Sequence, residues 1–185
     1  MKTVFFDVDT QIDFMFPAGA LYVPGAETIL DRVAALNRSG MVVISTTDAH
    51  TEDDPEFKLW PHHCVAGTVG QRKPASTLLE KRVVIPNAPC ELKIESAQQI
   101  ILEKQTLDCF TNVNLPAILD RLGADRYVVY GVVTEICVKF AAFGLLKTGK
   151  RVELVTGAIR SLDQAASTKM LSEFAAAGGI LTTEV

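Results

Sequence analysis

The sequence predicts a Rossmann-like α/β fold of three layers, α/β/α, in which helices cover both faces of a central six-stranded parallel sheet. The first observation behind this prediction is that short runs of β-branched and aromatic residues alternate with helical patterns along the chain. The second is that these runs are apolar throughout, as in strands that are buried on both faces. Since the sequence contains neither repeats nor a linker-like segment, we expect a single domain over residues 1–185.

The N-terminal half provides two strands and the helix between them. Residues 3–9 are apolar until carboxylates appear at the end of the run, and residues 41–46 form a second apolar run. Residues 26–37 carry apolar side chains at three- and four-residue spacing, which predicts a helix. The proline-rich stretch 51–89 is expected to be irregular apart from a short helix at 76–81, and long loops of this kind are usually functional.

The C-terminal half contains the strand on which the fold is expected to be centred, at residues 127–130. Gly131 follows this strand and lets the backbone turn sharply where it ends. A helix is expected to begin next, with Thr134 as its capping residue. The other elements of this half are predicted as strands at 98–104, 151–155 and 180–183, and as helices at 114–122, 134–147 and 163–177.

The composition of the chain excludes several classes of protein. A net charge of −4 gives no reason to expect a nucleic acid or an anionic membrane as a partner. No stretch approaches the ~20 apolar residues of a membrane span. Asp7 lies where a signal peptide needs an unbroken apolar run, so we expect a cytoplasmic protein. The four cysteines are widely spaced, which argues against a disulfide framework.

Three reactive side chains are expected to meet at one edge of the sheet. Asp9, Lys104 and Cys137 lie at or just past the ends of predicted parallel strands, and those ends share one edge. Cys137 would lie in the first turn of a helix, where the helix dipole lowers the pKa of a thiol. Asp9 would then accept the thiol proton, and Lys104 would hold both anions. The alternatives are an inert buried thiol, a carboxylate that caps a turn and a solvated lysine.

A second group of residues has the composition of a metal site. Its two imidazoles and two carboxylates are those of Asp48, His50, Glu56 and His63. This donor set suits zinc, iron or manganese, and we expect one divalent transition metal, with zinc favoured. All three histidines of the chain occur within fourteen residues of one another. The alternative is a solvated polar loop, and Asp54 or His62 could replace one of the four ligands.

Four motifs occur in an order that is shared with a known family. They are DTQIDF at 9–14, DAH at 48–50, WPHHC at 60–64 and GVVTEICV at 131–138. They match the patterns D-x-Q-x-D-F, D-x-H, W-P-x-H-C and G-V-x-T-x-x-C-V of the cysteine hydrolases that comprise nicotinamidases and isochorismatases. The chain therefore resembles this superfamily, and most of all its nicotinamidase branch, which implies an isochorismatase-like fold.

The resemblance implies catalytic roles for the three reactive side chains. Cys137 would be the nucleophile, Asp9 the acid and base, and Lys104 the third member of a triad. Because the segment around Lys104 matches the family only loosely, Lys93 is kept as an alternative. The backbone N–H groups of Val133 and Cys137 would hold the oxyanion, with a cis peptide bond before Val133.

The resemblance also implies a metal centre and a ring-binding pocket. The implied ligands of the metal are Asp48, His50, His63 and Glu56. Glu56 would occupy a position where some members of the family place a carboxylate and others a histidine. Phe14 and Trp60 would sandwich a flat heteroaromatic ring between their side chains.

The implied activity is that of a nicotinamidase, a hydrolase of linear carbon–nitrogen amide bonds. It would convert nicotinamide to nicotinate and ammonia through a cysteine thioester. The partner would be a small aromatic amide, and self-association into a homo-oligomer is left open. Two alternatives are a related hydrolase of another small amide, carbamoyl or vinyl-ether substrate, and a catalytically silent homologue. The metal ligands favour the nicotinamidase.

Overall fold

The computed structural model describes residues 1–184, and within them it contains one sheet of seven strands. The strands are β1 (Thr3–Val8), β2 (Val42–Asp48), β3 (Arg82–Ile85), β4 (Gln99–Lys104), β5 (Arg126–Val132), β6 (Arg151–Arg160) and β7 (Ile180–Thr182). Neighbouring strands pair in parallel, in the order β3-β4-β2-β1-β5-β6-β7. The predicted parallel sheet is therefore confirmed, with one strand more than expected.

Helices connect these strands and pack on both faces of the sheet. The α-helices are α1 (Ile12–Met15), α2 (Leu30–Asn37), α3 (Leu115–Leu122), α4 (Lys139–Leu146) and α5 (Gln164–Ala176). α3, α4 and α5 contribute to one buried apolar cluster, while α1 and α2 contribute to the other. This is the predicted three-layer arrangement. Within the described part of the chain, no helix has the length and apolarity to cross a membrane.

The helix predicted at 134–147 begins differently from the expectation. It opens as a π-helical turn over Thr134–Val138 and continues as α4. The capping position is occupied by Val133, whose side chain makes no capping hydrogen bond. The Thr134 hydroxyl instead donates to the carbonyl oxygen of Arg160 at 2.9 Å. The capping prediction for Thr134 is therefore wrong, because this hydroxyl bonds to the end of β6.

The stretch 51–89 contains the main departure from the predicted elements. It includes the additional strand β3, which pairs with β4 at the edge of the sheet. β3 is four residues long and only its last three residues are apolar, so the run is too short to stand out within the proline-rich stretch. The short helix expected at 76–81 is instead one 3-10 turn at Ala75–Thr77, because the chain becomes extended at Leu78.

Gly131 is required by a close approach between strands and not by a turn. It lies inside β5, which continues to Val132, so the turn predicted at this position is wrong. Its φ is 118°, and a Cβ atom at this position would lie 2.1 Å from the carbonyl oxygen of Val8 in β1. Only glycine fits where β5 comes this close to β1.

The strand order brings the ends of four strands together. β1 lies between β2 and β5, and β4 lies next to β2. The last pairs of these ladders match Val8 with Thr46 and with Gly131, and Asp48 with Lys104. Residues that follow β1 and β5 therefore lie at the same edge of the sheet as Asp48 and Lys104.

A buried ion pair fastens the loop before β3 to β1. The Lys73 ammonium lies 2.9 Å from an Asp7 carboxylate oxygen, and neither side chain is more than 1% exposed. The Asn37 amide and the Ser45 hydroxyl also donate to Asp7, at 2.9 and 3.2 Å. Lys73 further donates to the Thr10 hydroxyl at 2.5 Å. The loop is thus held against the segment that leaves β1.

Removal of the Lys73 ammonium should destabilise the fold strongly. In Lys73→Met the Asp7 carboxylate stays buried without its opposite charge, which costs ~3–5 kcal/mol. Lys93→Met is the matched control, because Lys93 pairs with Glu91 at the surface and such pairs contribute less than ~1 kcal/mol. Urea denaturation measures both free energies of unfolding. Equal losses in the two variants would contradict the importance of the buried pair.

Candidate active site and metal centre

Asp9 is the first residue after β1 and has an unusual backbone conformation. Its φ of 47° lies in the left-handed region, which few residues other than glycine adopt. Its backbone N–H donates to the carbonyl oxygen of Thr46 at 3.2 Å, and the Thr46 hydroxyl donates to Asp9 Oδ1 at 2.5 Å. β2 therefore fixes both the backbone and the side chain of a fully buried carboxylate.

Lys104, at the end of β4, connects the candidate catalytic residues. Its Nζ lies 2.8 Å from Asp9 Oδ2, in an ionic contact without hydrogen-bond alignment, and 2.5 Å from Asp48 Oδ1. It also donates to the carbonyl oxygen of Thr106 at 3.0 Å and lies 3.9 Å from Cys137 Sγ. Its side chain is 1% exposed. Asp9, Lys104 and Cys137 together form what we name the Asp–Lys–Cys cluster.

Lys93, the alternative to Lys104, is a surface residue. Its side chain is 76% exposed and its ammonium pairs with Glu91 at 2.9 Å. Lys104 instead occupies the last position of the β2–β4 ladder, directly opposite Asp48. The structure therefore brings Lys104, and not Lys93, to Asp9.

Burial and charge set the protonation states in the Asp–Lys–Cys cluster. Burial raises the pKa of the Cys137 thiol well above its usual range; the Lys104 ammonium opposes this shift, and the Asp9 and Asp48 carboxylates add to it. Burial alone would lower the pKa of Lys104, but both carboxylates outweigh it and raise that pKa. Burial also raises the pKa of Asp48 to about 7, against the charge of Lys104. The prediction that the helix start lowers the Cys137 pKa is therefore wrong, because desolvation dominates.

The turn that carries Cys137 is anchored at Val133. The peptide bond between Val132 and Val133 is cis, as the resemblance implies. The carbonyl oxygen of Val133 accepts the N–H groups of Ile136 and Val138, both at 3.1 Å, which fixes the backbone on either side of Cys137. Val133 and Cys137 line the same pocket, and their role as oxyanion donors stays a prediction.

The second group of residues converges beside Lys104. Asp48, His50 and His63 are buried, and one ligand atom from each lies within 4.8 Å of the others. His50 Nε2 lies 3.9 Å from Asp48 Oδ1, and His63 Nε2 lies 4.0 Å from Asp48 Oδ2. Glu56 Oε1 lies 3.9 Å from Nε2 of each imidazole. Atoms with these separations can share one ion at bond lengths of about 2.0–2.2 Å, and we name the four residues the metal cluster.

The hydrogen bonds of the two histidines direct their Nε2 lone pairs toward this group. His63 Nδ1 lies 2.7 Å from the carbonyl oxygen of Pro61, which can only accept, so Nδ1 carries the proton. His50 Nδ1 lies 3.0 Å from Asp54 Oδ2, which favours the same tautomer. His50 Nε2 is buried and has no hydrogen-bond partner among residues 1–184. A buried nitrogen without a partner fits a metal ligand, so the metal cluster fits a divalent transition metal.

Asp54 and His62, the alternative ligands, lie outside the group of atoms that could share an ion. Asp54 bonds to His50 Nδ1 and accepts the N–H of Glu56 at 2.9 Å, so it orients two members of the metal cluster from outside. His62 is exposed and stacks on Phe57, with 4.2 Å between the ring centroids. Of the three residues left open by the sequence, Glu56 is therefore the one whose carboxylate faces both imidazoles.

A pocket opens beside both clusters. Phe14 and Trp60, the predicted ring-binding residues, both line it, and the Phe14 ring centroid lies 5.3 Å from that of His63. Asp48 and Glu56 are the charged residues of the lining. The rest of the lining is provided by Leu21, His63, Leu107, Val133, Ile136, Cys137 and Leu162.

The isochorismatase domain family matches residues 3–184 of the chain. The chain belongs to the isochorismatase family. Among curated members of similar sequence, a nicotinamidase from Schizosaccharomyces pombe is 30% identical over 169 residues, which cover 73% of this chain and 72% of the relative. A maleamate amidohydrolase from Pseudomonas putida is 28% identical over 156 residues, covering 78% of this chain and 68% of the relative.

Two solved structures resemble this isochorismatase-family chain over nearly its whole length. The protein PnC1 from L. infantum, in complex with nicotinate, has a TM-score of 0.81 at 27% identity and covers 100% of this chain and 95% of its own. The pyrazinamidase of Pyrococcus horikoshii, in complex with zinc, also has a TM-score of 0.81, at 28% identity over 98% of this chain and 99% of its own. Together the comparisons support an isochorismatase-family amidohydrolase.

Gln11 and Asp13 are positions of this isochorismatase-family site that the sequence prediction missed. The Gln11 amide donates to the carbonyl oxygen of Asp48 at 2.8 Å and accepts the Asp48 N–H at 2.7 Å. The Asp13 carboxylate accepts the N–H of Cys64 at 2.7 Å, next to His63. Each residue thus ties a metal-cluster segment to the chain after β1. Both are fixed positions of the D-x-Q-x-D-F motif, so the motif itself could have indicated that these two residues have a role in the site.

His50→Ala should remove most of the metal from this isochorismatase-family protein. The substitution deletes the buried Nε2 that has no other partner, whereas His62→Ala deletes an exposed imidazole and should leave the metal content unchanged. Protein purified without chelators is expected to carry about one equivalent of a divalent transition metal, and His50→Ala less than ~0.1 equivalents. Elemental analysis by mass spectrometry measures both. The same metal content in the two variants would contradict the metal cluster.

Proposed function

We propose that this isochorismatase-family amidohydrolase is a nicotinamidase, which hydrolyses nicotinamide to nicotinate and ammonia. One observation carries the proposal: Lys104 of the Asp–Lys–Cys cluster contacts Asp48 of the metal cluster, and both clusters border one pocket. Phe14 and Trp60 also line this pocket. The curated nicotinamidase relative and the neighbour solved with nicotinate support the same substrate class.

The lining of the pocket favours a neutral, flat substrate. Its charged residues are the acidic Asp48 and Glu56, while Lys104 lies behind them with its charge already matched by Asp9 and Asp48. An uncharged ring would contact the apolar side chains of the lining, and Asp48 and Glu56 would serve as ligands when the metal cluster holds its ion. Nicotinamide is a neutral, flat molecule of this kind.

The first half of the reaction uses Asp9 as a base. Asp9 takes the proton from the Cys137 thiol as the sulfur attacks the carboxamide carbon, and the carbonyl π electrons move to oxygen. The N–H groups of Val133 and Cys137 hold this oxyanion. One such donor lowers the activation free energy by about 3–4 kcal/mol. Asp9 then passes its proton to the amide nitrogen. The carbon–nitrogen bond breaks, ammonia leaves and a thioester remains on Cys137.

The second half of the reaction returns the thiol. Asp9 takes a proton from a water molecule whose oxygen attacks the thioester carbon, the carbon–sulfur bond breaks, and nicotinic acid forms, which releases its proton to solvent as nicotinate. The departing sulfur of Cys137 regains the proton from Asp9. One water molecule is consumed and the enzyme ends in its starting protonation state.

Lys104 keeps Asp9 ready for both proton transfers. The Lys104 ammonium lies 2.8 Å from Asp9 Oδ2 and holds this carboxylate in place, and the same group 3.9 Å from Sγ stabilises a developing thiolate. Because burial raises the pKa of the Cys137 thiol, a thiolate is not stored in the resting enzyme. The thiolate is instead generated by proton transfer to Asp9 as the substrate is attacked.

The metal cluster would hold the ring end of the substrate. Asp48, His50, His63 and Glu56 are the residues that would bind a divalent transition metal. When bound, such an ion supplies a Lewis-acidic site for a pyridine-type nitrogen. Phe14 and Trp60 contribute the apolar surfaces that orient a ring and exclude water from its faces.

A maleamate amidohydrolase is the second candidate, because one curated relative has that activity. Maleamate carries a carboxylate in addition to its amide. It lacks the aromatic ring that Phe14 and Trp60 would contact and the pyridine-type nitrogen that an ion in the metal cluster would bind. These two differences favour nicotinamide over maleamate.

The Cys137→Ala variant should lose at least ~10³-fold in kcat/KM for nicotinamide, because no other group can form the thioester. Cys90→Ala is the matched control, since Cys90 is an exposed free thiol outside the pocket. Ammonia release measures both rates. Unchanged activity in Cys137→Ala would eliminate the proposed nucleophile, and an inactive natural protein would favour a silent homologue.

The natural protein should prefer nicotinamide over maleamate by at least ~10²-fold in kcat/KM, since maleamate has neither the ring that Phe14 and Trp60 would contact nor the ring nitrogen that the metal would bind. Benzamide is the control substrate, because it keeps the ring and the amide but lacks the ring nitrogen. Ammonia release from the three compounds gives the ratios. Faster hydrolysis of maleamate than of nicotinamide would overturn the substrate assignment.

A further inference from the structure

Leu162 is a pocket residue that the proposed reaction does not use. It lies between the end of β6 and the start of α5, lines the pocket that contains Cys137, and is 37% exposed. A leucine with this exposure forms part of the rim, where the pocket meets the solvent.

The Leu162 backbone is held by the turn that carries Cys137. Glu135 Oε1 accepts the N–H of Leu162 at 2.8 Å and the N–H of Asp163 at 2.7 Å. One residue earlier on the same turn, the Thr134 hydroxyl donates to the carbonyl oxygen of Arg160 at 2.9 Å. Two consecutive residues of the Cys137 turn thus fix both ends of the short connection between β6 and α5.

The Glu135 contact is more than a helix cap. α5 already has its own cap, because the Asp163 carboxylate accepts the N–H groups of Ala165 and Ala166. Glu135 Oε2 is also buried without a hydrogen-bond partner among residues 1–184, which is costly for a carboxylate oxygen. Glu135 therefore bears a desolvation cost while it holds the backbone of a rim residue in place.

We propose that Leu162 determines substrate size at the pocket rim and that Glu135 is the positioning residue that holds Leu162 there. The inference rests on the proposed function in one respect, namely that a flat aromatic amide occupies this pocket. Leu162 admits a single ring and blocks a second fused ring on the solvent side. Because Glu135 belongs to the turn that carries Cys137, its hydrogen bonds keep Leu162 at a fixed distance from the proposed nucleophile.

Trp60 provides a readout of pocket occupancy that does not depend on turnover. It is the single tryptophan of the chain and lines the pocket, so a ligand that binds there changes its fluorescence. Nicotinamide and quinoline-3-carboxamide, which has a second fused ring, are titrated into protein that carries Cys137→Ala to prevent hydrolysis. The measured quantity is the ratio of the two dissociation constants.

Leu162→Ala should shift this ratio toward quinoline-3-carboxamide by at least ~10-fold, because the barrier to the second ring is removed. Leu59→Ala is the matched control, since Leu59 is 85% exposed and does not line the pocket. It should leave the ratio unchanged. An unchanged ratio in Leu162→Ala would overturn the role of Leu162.

Glu135→Ala should produce a similar shift although Leu162 is still present, because the rim loses two backbone hydrogen bonds. Glu135→Gln keeps the Oε1 acceptor and should restore a ratio close to that of the natural side chain. A purely structural Glu135 would give a different pattern: Glu135→Ala would lower the melting temperature and leave the ratio unchanged. That pattern would overturn the positioning role.

The assays separate this inference from the proposed function. If the natural protein does not hydrolyse nicotinamide but the ratio shifts in Leu162→Ala, the proposed function fails and the rim assignment stands. If nicotinamide is hydrolysed and the ratio does not shift, the rim assignment fails alone. If neither amide changes Trp60 fluorescence, the pocket does not take aromatic amides and the rim assignment fails.

Discussion

The buried ammonium of Lys104 is the interaction on which the rest of the site depends. It contacts the Asp9 carboxylate, which belongs to the Asp–Lys–Cys cluster, and the Asp48 carboxylate, which belongs to the metal cluster. Two carboxylates this deep in a protein are tolerable only with a cation between them. The same charge opposes the effect of burial on the Cys137 thiol. One side chain therefore links the Asp–Lys–Cys cluster to the metal cluster.

The topology of the sheet explains why these residues meet at all. β1, β2, β4 and β5 are neighbours in the sheet although their sequences are far apart, and their carboxyl ends share one edge. Gly131 allows β1 and β5 to come close enough for this arrangement. The residues after β1 then bond back to both ligand segments through Gln11 and Asp13. The site is thus assembled from strand ends, and the loops are fastened to them.

The sequence predicted the parallel sheet from its longer apolar runs, and it missed β3 because the apolar part of that strand is only three residues long and lies in a proline-rich stretch.

The motifs predicted Asp9, Asp48, His50, His63 and Cys137, whereas Glu56 and Lys104 lie outside them and were predicted with alternatives. The ladder between β2 and β4 places Lys104 opposite Asp48, and such pairing is not visible in local sequence. The raised pKa of Cys137 and the contact from Glu135 to the Leu162 backbone also depend on distant segments. Properties of this kind follow from burial and long-range contacts, which residue patterns do not encode.

The protonated state of the Cys137 thiol has a consequence for the protein between turnovers. Peroxides and electrophilic metabolites attack thiolates far faster than thiols, and they need access to the sulfur. The Cys137 sulfur lines the pocket, so small molecules can reach it, but its raised pKa disfavours the thiolate that they attack. The burial that would delay thiolate formation until a substrate arrives would therefore also protect the proposed nucleophile from oxidative damage.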